Sequence, residues 1–261
     1  MSEQASPATL KQSTLETLGY LCEDISHEDL VQEEVNTVLQ AIINGTQQSE
    51  TNTQVHLAAI KALHHALDIA QVNFDYKDHR DFIMRIVFDK AMSHEAEIRH
   101  AAFECLVSIA SIYYEVMEQY MGTIGLLTSE AINGDEESVA LKALEFWSSI
   151  CNVEIELQEF ENPDPSDWSP PHSGFIRWAL PHLVPVLLET LLKQDQGDHV
   201  SNLSIAAGTC LGLVARTVGD DIVPFVRSFV EAKISEPHWS SREAATYALG
   251  INFGRAKFCQ A

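Results

Sequence analysis

Val55-His-Leu-Ala-Ala-Ile-Lys-Ala-Leu63 decides the fold, because the chain returns to the same phrase as Ile98-Arg-His-Ala-Ala-Phe-Glu-Cys-Leu106. It comes back as Val139-Ala-Leu-Lys-Ala-Leu-Glu-Phe-Trp147, as Leu203-Ser-Ile-Ala-Ala-Gly-Thr-Cys-Leu211 and, near the end, as Glu243-Ala-Ala-Thr-Tyr-Ala-Leu249. Leu63 and Leu106 stand 43 residues apart, and Leu106 and Trp147 stand 41 apart. That interval is the length of a two-helix solenoid unit, in which each unit buries its apolar face on the next. The pairs Ala58-Ala59, Ala101-Ala102, Ala206-Ala207 and Ala244-Ala245 let neighbouring helices approach. The Leu, Phe and Trp residues one turn on fill the space between layers. The expected fold is all-α and repetitive, a scaffold that works through extended surfaces and favours binding over catalysis.

Working outward, the spacing predicts a helix near 9–24 with Leu10, Leu15, Leu18 and Leu21 on its apolar side, and a second near 30–44 that stops at Gly45. Helices are expected near 53–72, 78–92 and 95–110, the last capped by Ser93, then near 113–132 and 136–151. Asn162-Pro-Asp-Pro-Ser-Asp-Trp-Ser-Pro-Pro171 reads as an insertion, which accounts for the 64 residues between Trp147 and Leu211. Helices resume near 175–193, 202–217, 221–234 and 240–250. Pro181, Pro185 and Pro224 should each bend a first helix of a pair. The domain expectation is a continuous array over 1–250, interrupted by a Pro/Asp-rich loop near 152–174, with an atypical tail at 251–261. Both ends fall inside repeats, so a segment of a longer array is expected.

The 261 residues carry 38 acidic against 16 basic side chains, a formal net charge of −22. That field repels phosphate backbones, argues against direct nucleic-acid binding and favours basic protein partners. The apolar stretches are too short and too broken to span a bilayer, and the N-terminal residues lack the pattern of a secretory signal. Cys22, Cys105, Cys151, Cys210 and Cys259 are widely spaced. Cys105 and Cys210 share one position of the repeated phrase and read as small core residues.

Histidine invites an enzymatic reading that the spacing does not support. His64 and His65 are adjacent on one helix, about 100° apart, and the His-Glu pairs at 27–28 and 94–95 lack a following x-x-His. No Gly-rich phosphate loop or Gly-x-Ser-x-Gly elbow is present, and Asp220-Asp221 reads as a helix cap. No catalytic residue, cofactor or metal is expected.

The order and spacing of several stretches carry a family resemblance. These are Leu15-Glu-Thr-Leu-Gly-Tyr-Leu-Cys22, Leu39-Gln-Ala-Ile-Ile-Asn-Gly45, Arg80-Asp-Phe-Ile-Met84 and Ser108-Ile-Ala-Ser-Ile-Tyr-Tyr114. Further along come Glu145-Phe-Trp-Ser-Ser-Ile-Cys151, Leu183-Val-Pro-Val-Leu187, Asp220-Asp-Ile-Val-Pro224 and Arg242-Glu-Ala-Ala-Thr-Tyr-Ala-Leu-Gly250. Together they resemble the importin-beta (karyopherin-beta) family of HEAT-repeat nuclear import receptors, from the end of the fourth repeat through most of the ninth. The resemblance implies a right-handed α-α superhelix of HEAT repeats, armadillo-like in architecture. It also implies a non-enzymatic receptor that moves between cytoplasm and nucleus through the pore. Its partners would be phenylalanine-glycine (FG) nucleoporins, basic cargo or an importin-alpha-type adaptor, and Ran-GTP.

The family's nucleoporin site lies between the outer helices of the fifth and sixth repeats, and the matching positions are Leu39, Gln40 and Ile43 with His79, Phe82 and Ile83. Leu39 and Ile43 are i,i+4 and share a face. A partner Phe ring inserted beside them would gain roughly 1.5–3 kcal/mol from burial, suited to weak, repeated contacts. Gln40 and His79 stand where the family commonly has Thr and Glu, which changes the polar rim. The family's acidic loop for Ran and adaptor corresponds to Gln194-Asp-Gln-Gly-Asp-His-Val-Ser201, which offers Asp195 and Asp198 and no Trp. Glu104, Glu136, Glu137 and Glu145 lie on second helices that would receive basic cargo. The expectation is retained nucleoporin binding with weakened Ran and adaptor binding. Two alternatives stay open: another HEAT-repeat scaffold or regulatory subunit for complex assembly, and a metal hydrolase using the histidines.

Overall fold

The computed structural model of the chain describes residues 7–160, 173–193 and 202–256, and all regular structure among them is helical. The chain divides into two compact units, Met1–Tyr113 and Tyr114–Ala261. In each, helices pair and stack in the manner of HEAT and armadillo repeats.

The first unit holds α1 (Pro7–Asp24), α2 (Gln32–Thr46), α3 (Thr53–Ala66), α4 (Gln71–Asp75), α5 (Lys77–Ala91) and α6 (Ala96–Ile112). α2 pairs with α3 and α5 with α6, while α1, α3 and α6 stack as one layer. The repeated phrase lies on α3 and α6. Its Ala59, Leu63, Ala101, Ala102 and Leu106 are completely buried, each leucine contributing about 2 kcal/mol of burial.

Several expectations change here. α2 runs through Gly45 to Thr46, because Gly45 is a contact glycine rather than a stop: a Cβ there would lie 2.8 Å from both Ala59 Cβ and Leu15 Cδ1. α3 ends at Ala66, short of residue 72, because the chain turns to bury Leu67, Ile69, Ala70 and Phe74. Tyr113 holds that turn, stacking on Phe74 at 3.8 Å between ring centroids and donating its hydroxyl to the Leu67 carbonyl. Ser93 is not the cap of α6; Glu95 occupies that position, and Ser93 Oγ accepts from its N–H at 3.2 Å. On α1 the buried residues are Leu15, Gly19 and Cys22, whereas Leu10 and Leu21 are exposed.

The second unit begins with two 3-10 turns, Tyr114–Val116 and Glu118–Tyr120, followed by α7 (Met121–Gly134), α8 (Glu137–Glu159), α9 (Phe175–Leu191) and α10 (Asn202–Val218). A further 3-10 turn, Gly219–Ile222, leads to α11 (Val223–Lys233) and α12 (Trp239–Ala256). α7 pairs with α8, α9 with α10 and α11 with α12. α8, α10 and α12 form one layer, and α7, α9 and α11 the other. Trp147 donates its indole N–H to Thr128 Oγ1 at 3.0 Å and meets Phe146 edge-on, which joins α8 to α7.

The insertion expected from 152 begins later, since α8 continues to Glu159 and buries Glu154 and Ile155. Its Pro-rich stretch at 162–171 lies outside the described residues. The tail expected from 251 is helical as far as Ala256, and Cys259 lies outside the described residues. Pro181 and Pro185 stand inside α9, but Pro224 sits in the first turn of α11, where its missing N–H costs nothing and no bend is required.

Candidate functional site

The six positions singled out on the first unit divide into two groups. Leu39 (3% exposed) and Ile43 (8%) belong to the buried stripe of α2 with Val35 and Ile42, and Ile83 (2%) belongs to that of α5 with Met84 and Val87. Gln40, His79 and Phe82 face outward, and Phe82 is 45% exposed. Helical geometry makes this division: residues next to each other in sequence point about 100° apart, so Phe82 leaves the core where Ile83 enters it. His79 and Phe82, at i,i+3, share one exposed face of α5.

The polar rim is ordered along each helix. Gln40 Nε2 donates to Asn44 Oδ1 at 3.1 Å, and Gln47 Nε2 reaches the same oxygen at 3.3 Å. On α5 the His79 ring lies 5.7 Å from that of Tyr76, and Lys77 pairs with Asp81. On α5 the arrangement is an apolar ring raised from the helix surface beside an imidazole. It can receive an apolar side chain from a partner, and it offers no nucleophile.

An amide cluster at the edge of the core, with no signal in the helical periodicity, ties α2 to the segment that leads into α5. Gln32 Nε2 donates to Asn36 Oδ1 at 3.0 Å and to Asn73 Oδ1 at 2.9 Å, while Asn73 Nδ2 donates to Asn36 Oδ1 at 2.9 Å. Asn73 is buried on α4. The next carbonyl, of Phe74, accepts from Arg80 Nη1 on α5 at 2.5 Å. Asn73 stands between Val72 and Phe74 among other polar residues, and its partners lie 37 and 41 residues away, so the sequence gives no local sign of the cluster.

Two cavities lie on other faces of this unit. One of about 210 Å³ is lined by α1 and α3, including Glu16, Tyr20, Lys61 and His65. The other, about 350 Å³, is lined by Leu10, Leu15, Leu18 and Val55 and edged by the Lys11–Glu50 ion pair at 2.5 Å. The hydrogen bond from Lys11, helped by the Asn52 backbone N–H, holds the Glu50 carboxyl below its ordinary range.

His64 Nε2 lies 2.9 Å from Ser108 Oγ, and His65 faces Glu23 at 3.6 Å. Among the described residues no group of three or more His, Cys, Asp or Glu side chains is arranged to hold a metal ion. Cys22, Cys105, Cys151 and Cys210 are free and buried, and burial raises each thiol above its ordinary pKa, away from the reactive thiolate. Asp220-Asp221 does not cap a helix through its side chains; Asp221 accepts from Arg177 Nε of α9 at 2.8 Å. Of the acids expected to face basic cargo, Glu104 lies 3.7 Å from His100 and Glu145 2.9 Å from Lys142, while Glu136 and Glu137 are exposed. Asp195 and Asp198 lie outside the described residues.

The second unit holds one buried carboxylate of note. Glu154 Oε1 accepts from Tyr114 Oη at 2.8 Å and from the Ile176 backbone N–H at 3.2 Å. It therefore satisfies a first-turn donor of α9, which starts from Gly174 in the left-handed region at φ 66°. Burial, then the neighbouring carboxylate, raises the Tyr114 phenol well above its ordinary range, so the residue serves as a hydrogen-bond donor. No helix among the described residues is long and apolar enough to cross a membrane.

No protein-family model matches the chain. Over 249 residues, 94% of its length, it is 54% identical to importin subunit beta-1 of Arabidopsis thaliana, of which it spans 29%. A crystal structure of importin beta superposes with a TM-score of 0.88 at 35% identity, covering 95% of this chain and 30% of that one. The Kap95:Nup1 complex superposes at 0.86 and 34% identity, covering 96% of this chain and 29% of that chain.

Proposed function

We propose, from the premise that nearly the whole chain matches a segment of importin-beta/karyopherin family proteins, that it serves nuclear import as the nucleoporin-docking part of a transport receptor. Phe82 carries the reading: it is a large aromatic left 45% exposed on α5, beside core residues that have no reason to expel it. It is the one large apolar side chain among the six aligned positions that is left accessible to a partner, and a Phe-Gly segment supplies matching chemistry with no charge to desolvate. The likeness to Kap95, seen in a complex with Nup1, supports the same assignment. The chain acts by binding and makes or breaks no covalent bond. Basic cargo or adaptor and Ran-GTP are further partners, bound more weakly by this segment than nucleoporins, and its working place is the cytoplasm, the nucleus and the pore between them.

The test uses Phe82→Ala, because the residue is exposed and its loss leaves the core intact. Leu39→Ala and Ile43→Ala are weaker probes, since both side chains are buried and their truncation costs roughly 2–5 kcal/mol of stability. A synthetic peptide of Phe-Gly repeats should bind the Phe82→Ala chain about 10-fold more weakly, as expected for losing ~1.4 kcal/mol of apolar contact. The thermal midpoint should stay within about 2 °C of the parent. Equal binding by parent and variant would remove the docking face from α5.

A further inference from the structure

We infer that the amides of Gln32, Asn36 and Asn73 form a spacing clamp that positions the proposed nucleoporin-docking face; the inference rests on the reading above. The clamp runs through an unbroken chain of contacts. Gln32 and Asn36, one turn apart on α2, both bind Asn73 of α4, Asn73 precedes Phe74, and the Phe74 carbonyl holds Arg80 of α5 at 2.5 Å. Arg80 stands two residues before Phe82. The same segment is anchored beneath by the Phe74–Tyr113 stack, so displacement of α4 is opposed by the core.

Nothing in the cluster belongs to the docking face itself. Gln32 and Asn36 precede Leu39 by two turns and one turn, and Asn73 lies on a separate helix. Apolar packing between helices tolerates sliding, whereas an amide triangle with three bonds between 2.9 and 3.0 Å has one geometry. The clamp therefore fixes where α2 and α5 begin relative to each other, and the residues of the docking face follow.

Its bond directions allow a test that general destabilisation would not pass. Asn36 uses its oxygen twice as an acceptor, so Asn36→Asp preserves both bonds. Asn73 must donate to Asn36 as well as accept from Gln32, so Asn73→Asp loses a donor and sets a carboxylate against a carbonyl oxygen. The Phe-Gly peptide is titrated into both variants well below their unfolding midpoints, checked by circular dichroism. In a Cys259→Ser background, spin labels at Thr37→Cys on α2 and Arg85→Cys on α5 report the helix separation. Asn73→Asp should weaken the peptide 5- to 10-fold and broaden the label distances, with Asn36→Asp matching the parent in both.

An Asn73→Asp chain with parental affinity and parental distances overturns the clamp, as does an Asn36→Asp chain as impaired as Asn73→Asp. If the parent itself does not bind the peptide, the docking reading fails. The label distances then decide the clamp alone: broadening in Asn73→Asp alone sustains it, and unchanged distances reject it.

Discussion

Two glycines in this chain look equivalent in sequence and are not equivalent in space. At Gly45 a Cβ would meet Ala59 Cβ and Leu15 Cδ1, both at 2.8 Å and both in the core. Alanine has no rotamer by which to retreat, so the helices must separate. Gly45→Ala should destabilise by about 1–2 kcal/mol despite alanine's better helix propensity. At Gly208 the three atoms nearest a Cβ all belong to the outer end of the Tyr247 side chain, the closest at 2.7 Å, and that side chain is half-exposed, so a small rotation can relieve the contact. Gly208→Ala should therefore be neutral or stabilising by up to about 0.5–1 kcal/mol. Urea unfolding of the two variants against the parent reads both signs in one experiment. Equal effects would mean that local propensity, not packing, sets the outcome.

At the scale of elements, the repeated phrase made most helices legible, because its 41- and 43-residue intervals and apolar spacing are properties of the sequence itself. What remained hidden was where helices stop. α3 ends at Ala66 because Phe74, eight residues later, must reach Tyr113, and α8 outlasts residue 151 because Glu154 is needed by α9. These are contacts across 39 and 22 residues, and periodicity carries no trace of them. The candidate site shows the same limit. The family resemblance aligned six positions, but only the folded chain divides them into core (Leu39, Ile43, Ile83) and surface (Gln40, His79, Phe82). Glu154 gives this scale its prediction. Removing the carboxylate takes away the acceptor of the Tyr114 O–H and of the Ile176 N–H in a buried place, so Glu154→Ala should cost ~2–3 kcal/mol. Glu154→Gln keeps an acceptor oxygen and should cost about 1 kcal/mol or less. Amide exchange at Ile176 should accelerate in the alanine variant and stay near parental in the glutamine one; parental exchange in both would show that α9 starts without this acceptor.

The whole molecule presents two kinds of attraction that respond oppositely to salt. Its net charge of −22 is long-ranged and draws basic chains, but ions screen it over a Debye length that shrinks from roughly 14 Å at 50 mM to about 4 Å at 500 mM. Burial of an uncharged ring against α5 involves no net charge and is unaffected or slightly favoured by added salt. An uncharged Phe-Gly peptide should thus hold its affinity within about 2-fold across that range. A lysine- and arginine-rich peptide attracted to acids such as Glu136 and Glu137 should weaken more than ~10-fold. Over the same titration the thermal midpoint should rise by a few degrees, because screening relieves the repulsion among 38 carboxylates set against 16 basic groups. Steep salt dependence of the Phe-Gly peptide would mean that charge rather than the exposed ring holds it, and Phe82 would lose its place as the anchor. The two titrations share one protein, one temperature and one concentration series, so their slopes separate docking at the ring from recognition by the acidic surface without any mutation.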